Sequence, residues 1–460
     1  MPRTTPTADA GDAARQSDTV VPTPSTPTTD TALTWVDPRQ VKRKLRSGGT
    51  VVVPDLLSGV PIRRSQAGWI PVGVLLALVA AYAATTLLWP LNALPPTMKT
   101  IPVTPAAVKS PEITWPSEGY AGVGVKDGPV VVSTDEAVTL ASITKVVTVL
   151  TILDHSPLAP GETGPEFHFT QQDSDNYWRY LTNDESALDV PVDGVLTEYQ
   201  LIEGILLGSA GNYTDILSES IWPSDEDYAA AASDWMNRAG IIGITLVEPT
   251  GIDPRNVATP QGLLRLAEVA MQNPIVAEIV AKPSVDLPGA GLVKNTNGLI
   301  GDPGVVGLKT GSLDGYNLLS VKNLDIGGKT VQTYAVALHE EDDAARNAVS
   351  RNLYTQLDAA LQPVVLVPKD TAVAEVSTAW GESTKLVTIS DATGSVWQHT
   401  PTVISTPKLG SDRDAGAPAG TLSVTGTLGT DEVGVRVAND LPDPSPWWRL
   451  THPFALFGWD

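Results

Sequence analysis

Ser142-Ile143-Thr144-Lys145 sets a hydroxyl and an amine three residues apart at the start of an apolar run, where helical spacing puts both on one face. A serine hydroxyl is a poor nucleophile at neutral pH and needs a neighbour to take its proton. Lysine can do so only where burial or another cation lowers its pKa. The pair suits a nucleophile and its base, with the positive end of a helix beside the developing oxyanion. A Ser and a Lys at this spacing arise by chance in most long chains, so the reading needs further residues.

Lys309-Thr310-Gly311-Ser312 supplies them, closing the apolar run at 304–308 and preceding a second run at 318–323. A strand edge is implied. It can pair with an extended peptide, with Gly311 allowing close backbone approach, Lys309 and Thr310 meeting a carboxylate, and a backbone N–H entering an oxyanion hole. Between the two motifs stands Gly208-Ser209-Ala210-Gly211-Asn212, a small polar interruption after an apolar helix. Alone it reads as a helix C-cap; with the others, Ser209 and Asn212 can offer a hydroxyl and an amide to the same cleft.

The elements that must hold these residues follow from pattern. Lys126-Asp127-Gly128 between Val-rich runs predicts a hairpin over 119–133. Apolar spacing predicts helices over 141–153, with Thr139 or Ser142 as cap, and over 201–207 and 259–272, the last with Thr259 as cap and Pro260 at its first position. Strands are expected over 304–309, 318–323 and 331–338, then an amphipathic helix over 342–361. This order indicates an α+β domain with an antiparallel sheet flanked by helices, at 113–362. After Pro363 short Val/Thr-rich runs between Gly, Pro, Asp and Ser predict a small β-rich domain over 363–440. The aromatic stretch 441–460 reads either as an interfacial membrane anchor or as a plug on that β domain.

Residues 69–89 carry no charge and are long enough to cross a hydrocarbon core of about 30 Å, so a single N-terminal transmembrane helix is expected. It lies deeper than a cleaved signal peptide does. Lys42, Arg43, Lys44, Arg46, Arg63 and Arg64 precede it and only Lys99 and Lys109 follow closely, which predicts a cytoplasmic N-terminus and an extracytoplasmic remainder. The Thr/Pro/Ala-rich 1–68 reads as a largely disordered tail, and the Pro-rich 90–112 as a semi-rigid spacer holding the domain off the membrane. The net charge is −22, and nine Lys/Arg against six Asp/Glu in 1–68 leave about −25 on the rest, which argues against a nucleic-acid partner. There is no cysteine, so a thiol nucleophile is excluded.

In the order Ser-x-x-Lys, Ser-rich turn, Lys-Thr-Gly, the three motifs resemble the set of the β-lactamases and penicillin-binding proteins. The flanks Leu201-Ile202-Glu203-Gly204-Ile205-Leu206-Leu207, Glu248-Pro249-Thr250-Gly251-Ile252-Asp253-Pro254-Arg255-Asn256 and Asn295-Thr296-Asn297, with Gly307-Leu308 ahead of Lys309, look like the low-molecular-mass D-alanyl-D-alanine carboxypeptidases. The resemblance covers about 113–362. It implies a penicillin-binding/β-lactamase-like transpeptidase domain, acylation of Ser142 by a stem peptide ending in D-Ala-D-Ala, release of D-alanine, hydrolysis of the acyl-enzyme, and β-lactams as covalent inhibitors. Lys145 would be the base, Ser209 a proton relay, Lys309 and Thr310 the carboxylate clamp, and the N–H groups of Ser142 and Ser312 the oxyanion hole. No cofactor and no metal are implied. Family members also carry a C-terminal β domain and a membrane attachment near the C-terminus. One departure stands out: the family's second motif is Ser-x-Asn, whereas Gly211 follows Ser209-Ala210 and the asparagine falls at 212. A local bulge at the glycine is expected to bring Asn212 into the role.

Other chemistries fit less well. No Gly-x-Ser-x-Gly elbow occurs, no motif surrounds the five histidines, and His339-Glu340-Glu341-Asp342-Asp343 reads as an acidic helix start rather than a metal site. Asp173-Ser174-Asp175-Asn176 lacks the glycine and terminal glutamate of a calcium loop. A β-lactamase shares the chemistry but not the anchor, the extra β domain or the flanks. A catalytically degenerate penicillin-binding scaffold or sensor, motivated by Gly211, and a D,D-endopeptidase are the alternatives.

Overall fold

The computed structural model describes residues 69–91 and 94–459; the tail expected over 1–68, with its Lys/Arg cluster, lies outside the described residues. The chain divides into two units, Met1–Leu75 and Leu76–Asp460. Of the first, only the opening turns of α1 (Ile70–Leu88) are described. α1 has 19 residues without a charge and is long and apolar enough to cross a membrane.

The second unit is organised by two antiparallel sheets. In the first, five strands run in the order β4 (Val305–Ser312), β5 (Tyr316–Ile326), β6 (Lys329–Glu340), β2 (Tyr120–Val125) and β3 (Val130–Val132). β2 and β3 form the expected hairpin, and the register Lys309↔Leu319, Thr310↔Leu318, Gly311↔Asn317 leaves the other side of β4 as a sheet edge. Period-two alternation sends Leu308, Leu319, Val321 and Val336 into one core and Leu318 and Ala335 into another. The first core receives α2 (Thr144–His155), α4 (Glu198–Gly208), α5 (Gly211–Glu219), α6 (Asp225–Arg238), α7 (Pro260–Ala270) and α8 (Pro274–Val280). The second is covered by α9 (Asp343–Leu361) through Leu353, Tyr354, Leu357 and Leu361. α3 (Gln171–Thr182) lies over α5. This is the α+β arrangement the sequence order indicates.

Caps explain most helix starts. Thr197, Thr259 and Asp342 accept from the backbone N–H three residues on, and Pro260 opens α7 as expected. α2 differs. A 3-10 turn over Ala141–Ile143 leads into it, and neither Thr139 nor Ser142 caps. Thr139 Oγ1 donates instead to Asp314 Oδ1 at 2.5 Å.

The second sheet has six strands in the order Thr97–Thr100 (β1), Ala372–Ser377, Ser383–Thr388, Gly429–Val437, Pro418–Gly426 and Thr402–Pro407, over a core of Leu366, Val376, Leu422 and Val435 among others. β1 belongs to the stretch expected as a semi-rigid extended spacer. The stretch is extended, as its prolines require, and it lies along the second sheet. Thr97–Thr100 contains no proline and keeps its N–H groups, so it pairs along the exposed edge of Ala372–Ser377. Beyond it, Ile101 N donates to Val373 O and Ala106 N to Leu366 O, both at 2.8 Å, and Val103 packs on the β core.

Candidate active site

α2 is buried from Thr144 to Leu153, so it is a core helix rather than an amphipathic one. Lys145 sits in its first turn with almost no exposure, and desolvation pulls its pKa down from 10.5 to about 8. The charges of Glu248, Asp215 and Glu185 oppose the fall without cancelling it. Nζ lies 3.0 Å from Ser142 Oγ and donates to Thr250 O at 2.6 Å. A neutral amine so placed spends one N–H on the carbonyl and keeps its lone pair for the serine proton.

The carbonyl is aimed by a residue to which the motif reading assigns no role. Glu248 is buried, and its carboxylate accepts from Thr250 N and Oγ1, Gly251 N, Asp253 N and Asn256 Nδ2, at 2.6, 2.7, 2.7, 3.3 and 2.7 Å. Asn256, fully buried, also donates to Glu248 O and accepts from Val247 N. Together they wind residues 248–256 into a turn that Gly251 closes at φ 83°, where a Cβ would meet Ala141 O at 2.0 Å. Ala141, at φ 49°, in turn presents Ser142.

β4 forms the opposite wall. A Cβ on Gly311 would lie 2.7 Å from Leu140 O and 3.1 Å from Ser142 N, so the glycine lets the strand run against the nucleophile's amide. Asn317 Nδ2 ties the preceding turn to the sheet by donating to Thr139 O at 2.9 Å. Arg346 reaches from α9 to Gly311 O and Asn317 O, each at 3.1 Å, and to Ser312 Oγ. Ser312 lines a cleft of about 280 Å³ with Ser142, Lys145, Gly211 and Thr250. Lys309 does not line it: wholly buried, it donates to Thr310 O at 3.0 Å, and burial, then the Lys145 and Arg346 charges, hold its pKa well below the ordinary value. Thr310 Oγ1 is bonded to Thr296 Oγ1 at 2.7 Å.

The middle motif is arranged differently from expectation. Ser209 ends α4 in the left-handed conformation, φ 63°, and is buried; none of the hydrogen bonds of Ser142 or Lys145 goes to it. No bulge brings Asn212 to the cleft. α5 starts at Gly211, so residue 212 is turned about 100° from it along a regular helix, and its amide is spent on Leu188, accepting from N at 3.1 Å and donating to O at 2.7 Å. Gly211 is the residue that faces the cleft; a Cβ there would lie 3.2 Å from Ser186 O and 3.3 Å from the Tyr180 ring. Tyr180 donates to Asp215, whose carboxyl is pushed up to about 6 mainly by burial.

Among the described residues no group of three or more His, Asp or Glu is placed to hold a metal ion. A serine hydroxyl beside a desolvated lysine, walled by the edge of an antiparallel sheet, can carry acyl transfer through a serine ester.

No family model and no curated protein matches the chain. Among solved structures, the DD-transpeptidase of Streptomyces K15 is similar at 20% identity and TM-score 0.47, covering 54% of this chain and 100% of its own. A peptidoglycan synthesis regulatory factor (PBP3) from Streptococcus pneumoniae is similar at 18% identity and TM-score 0.48, covering 70% of this chain and 99% of its own.

Proposed function

We propose that the chain is a serine-type D-alanyl-D-alanine carboxypeptidase of the penicillin-binding kind, anchored by α1 with its N-terminus cytoplasmic and its catalytic domain outside the membrane. The observation that carries this is the 3.0 Å approach of Lys145 Nζ to Ser142 Oγ, with the amine's pKa brought near 8 by burial.

The stem peptide lies along the free edge of β4. Its terminal carboxylate meets the hydroxyls of Thr310 and Ser312, with Lys309 buried behind them, and the penultimate D-alanine carbonyl points at the N–H groups of Ser142 and Ser312. Lys145 takes the Oγ proton, Oγ bonds to the carbonyl carbon, and the oxyanion forms. Collapse breaks the peptide bond, and the leaving amine of D-alanine receives the proton from Lys145; the relay role the resemblance implies for Ser209 would need its hydroxyl to turn toward Lys145 once the peptide is bound. Water then adds to the ester, gives its proton to Lys145, and releases the shortened peptide as Ser142 regains its hydrogen. A β-lactam follows the first half of this course, but its leaving amine stays attached.

Release of one equivalent of D-alanine per peptide from a pentapeptide ending in D-Ala-D-Ala, absent in Ser142→Ala and after penicillin treatment, tests the reading. A second reading has a specific support: Gly211 supplies no side chain to the cleft and Asn212 is committed to Leu188. On that reading the chain is a penicillin-binding scaffold or sensor, acylated at Ser142 without turnover. An adduct with penicillin but no D-alanine release would select it.

A further inference from the structure

For the C-terminal segment the sequence leaves two roles open, a plug on the β domain and an interfacial anchor. Ser445 caps α10 (Pro446–Thr451), and α11 (Pro453–Phe457) follows. On one side the segment rests on the β domain: Trp380 packs edge-on to Trp448 at 6.1 Å and donates from Nε1 to Pro442 O, and Trp448 stacks on His452. On another it grips the last turns of α1. Tyr82 Oη donates to Leu450 O at 2.6 Å, Arg449 Nη1 donates to Leu87 O and Trp89 O at 3.1 Å each, and Trp89 meets Phe457 edge to face at 4.7 Å. On this stretch Thr86 is fully buried, on a helix whose side chains are otherwise almost all exposed.

Arg449 thus brings donors and a positive charge to carbonyls at the negative end of the helix dipole, groups left without intrahelical partners where the chain leaves the apolar layer. From the same segment Trp447, Phe454 and Trp459 project outward, 74%, 63% and 71% exposed, next to the end of an apolar helix. Aromatic side chains with one wet and one apolar flank favour the headgroup boundary, which is where that helix end lies if α1 spans the bilayer.

We infer that residues 445–459 form a collar. It clamps the outer end of α1 through Arg449 and Tyr82 and seats Trp447, Phe454 and Trp459 in the lipid headgroup boundary of the same leaflet. With β1 entering the six-stranded sheet nine residues after Leu88, the catalytic unit stands on a two-point footing. The inference rests on α1 crossing the membrane, so its test scores that separately.

The chain has no cysteine, so single cysteines at Leu78, Phe454 and Ile404, the last on the far edge strand of the six-stranded sheet, carry an environment-sensitive dye without background. The full chain is placed in lipid nanodiscs containing brominated acyl chains. Leu78 should be quenched by deep bromines, Phe454 at least twofold by shallow ones, and Ile404 by neither. Arg449→Ala, which removes two of the clamp's three hydrogen bonds and its positive charge but no aromatic, should leave Leu78 quenched and cut the Phe454 quenching at least in half. A water-like, unquenched dye at Phe454 with Leu78 quenched overturns the collar alone. A blue-shifted but unquenched dye assigns the aromatics to a second copy or another protein and also overturns it. Unchanged quenching in Arg449→Ala overturns the clamp, and an unquenched Leu78 removes the spanning helix and the inference together.

Discussion

If Lys145 is the base that activates Ser142, the rate at which the protein is acylated must follow the fraction of Lys145 that is neutral. Burial lowers that lysine from 10.5 to about 8. The neutral fraction is then about one in eleven at pH 7 and about ten in eleven at pH 9, so the second-order rate constant for acylation by penicillin should rise about tenfold between them. An unperturbed lysine would instead give a limb near pH 10.4 and negligible acylation at pH 7. That fall corresponds to roughly 3 kcal/mol disfavouring the ammonium. The direction of a further change is also set by the structure. Asp215 is among the charges that hold the lysine up, so Asp215→Asn should draw the limb toward lower pH, by less than about one unit. The assay is stopped-flow acylation by a fluorescent penicillin from pH 6 to 10.5. A rate that is flat between pH 7 and 9, or that climbs only near pH 10, would refute the assignment of the base. An Asp215→Asn limb moved to higher pH would refute the electrostatic account of its pKa.

Glu248→Ala strips five donors of their buried acceptor and should cost about 3 kcal/mol or more in denaturant unfolding, with acylation of the folded fraction slowed at least about tenfold as the Thr250 carbonyl loses its aim. Asn212→Ala releases Leu188 and should lower stability by about 2 kcal/mol while acylation stays within about twofold; a large loss of acylation at unchanged stability would restore it to the cleft. Glu340 is buried with Oε1 unpartnered, and burial pushes its carboxyl up from 4.5 to about 7. A carboxyl raised on folding stabilises fully below pH 4.5 and loses that contribution as pH climbs through 7, so Glu340→Gln should be about 2 kcal/mol more stable than the parent at pH 8 and indistinguishable from it at pH 4.

What could be read from the sequence divides along the range of the forces involved. Ser142 and Lys145 are three residues apart, in the 3-10 turn and the first turn of α2 that follows it, so their meeting is a local fact, and the apolar runs around Lys309 and Leu319 declare an antiparallel pair by period alone. The fold order α+β followed from the same local patterns. Glu248, Asn256, Asn317 and Arg346 act across the fold, and nothing in their immediate neighbours marks Arg346 as a strut for Gly311, 35 residues away. A Glu two residues ahead of Thr-Gly, in a flank that the resemblance singles out, is the only local signal for Glu248. Asn212 went astray because a glycine permits a bulge without requiring one, and α5 simply begins there. β1 escaped because Thr97–Thr100 is short and polar; it is a strand only because Ala372–Ser377 offers it an edge.

The most direct test is the intact mass of the full-length protein after incubation with penicillin, beside Ser142→Ala treated alike. One penicillin adduct on the parent, none on the variant, and the labelled peptide containing Ser142 are what the account predicts. An adduct that survives in Ser142→Ala, or a folded parent that takes up none, would contradict it.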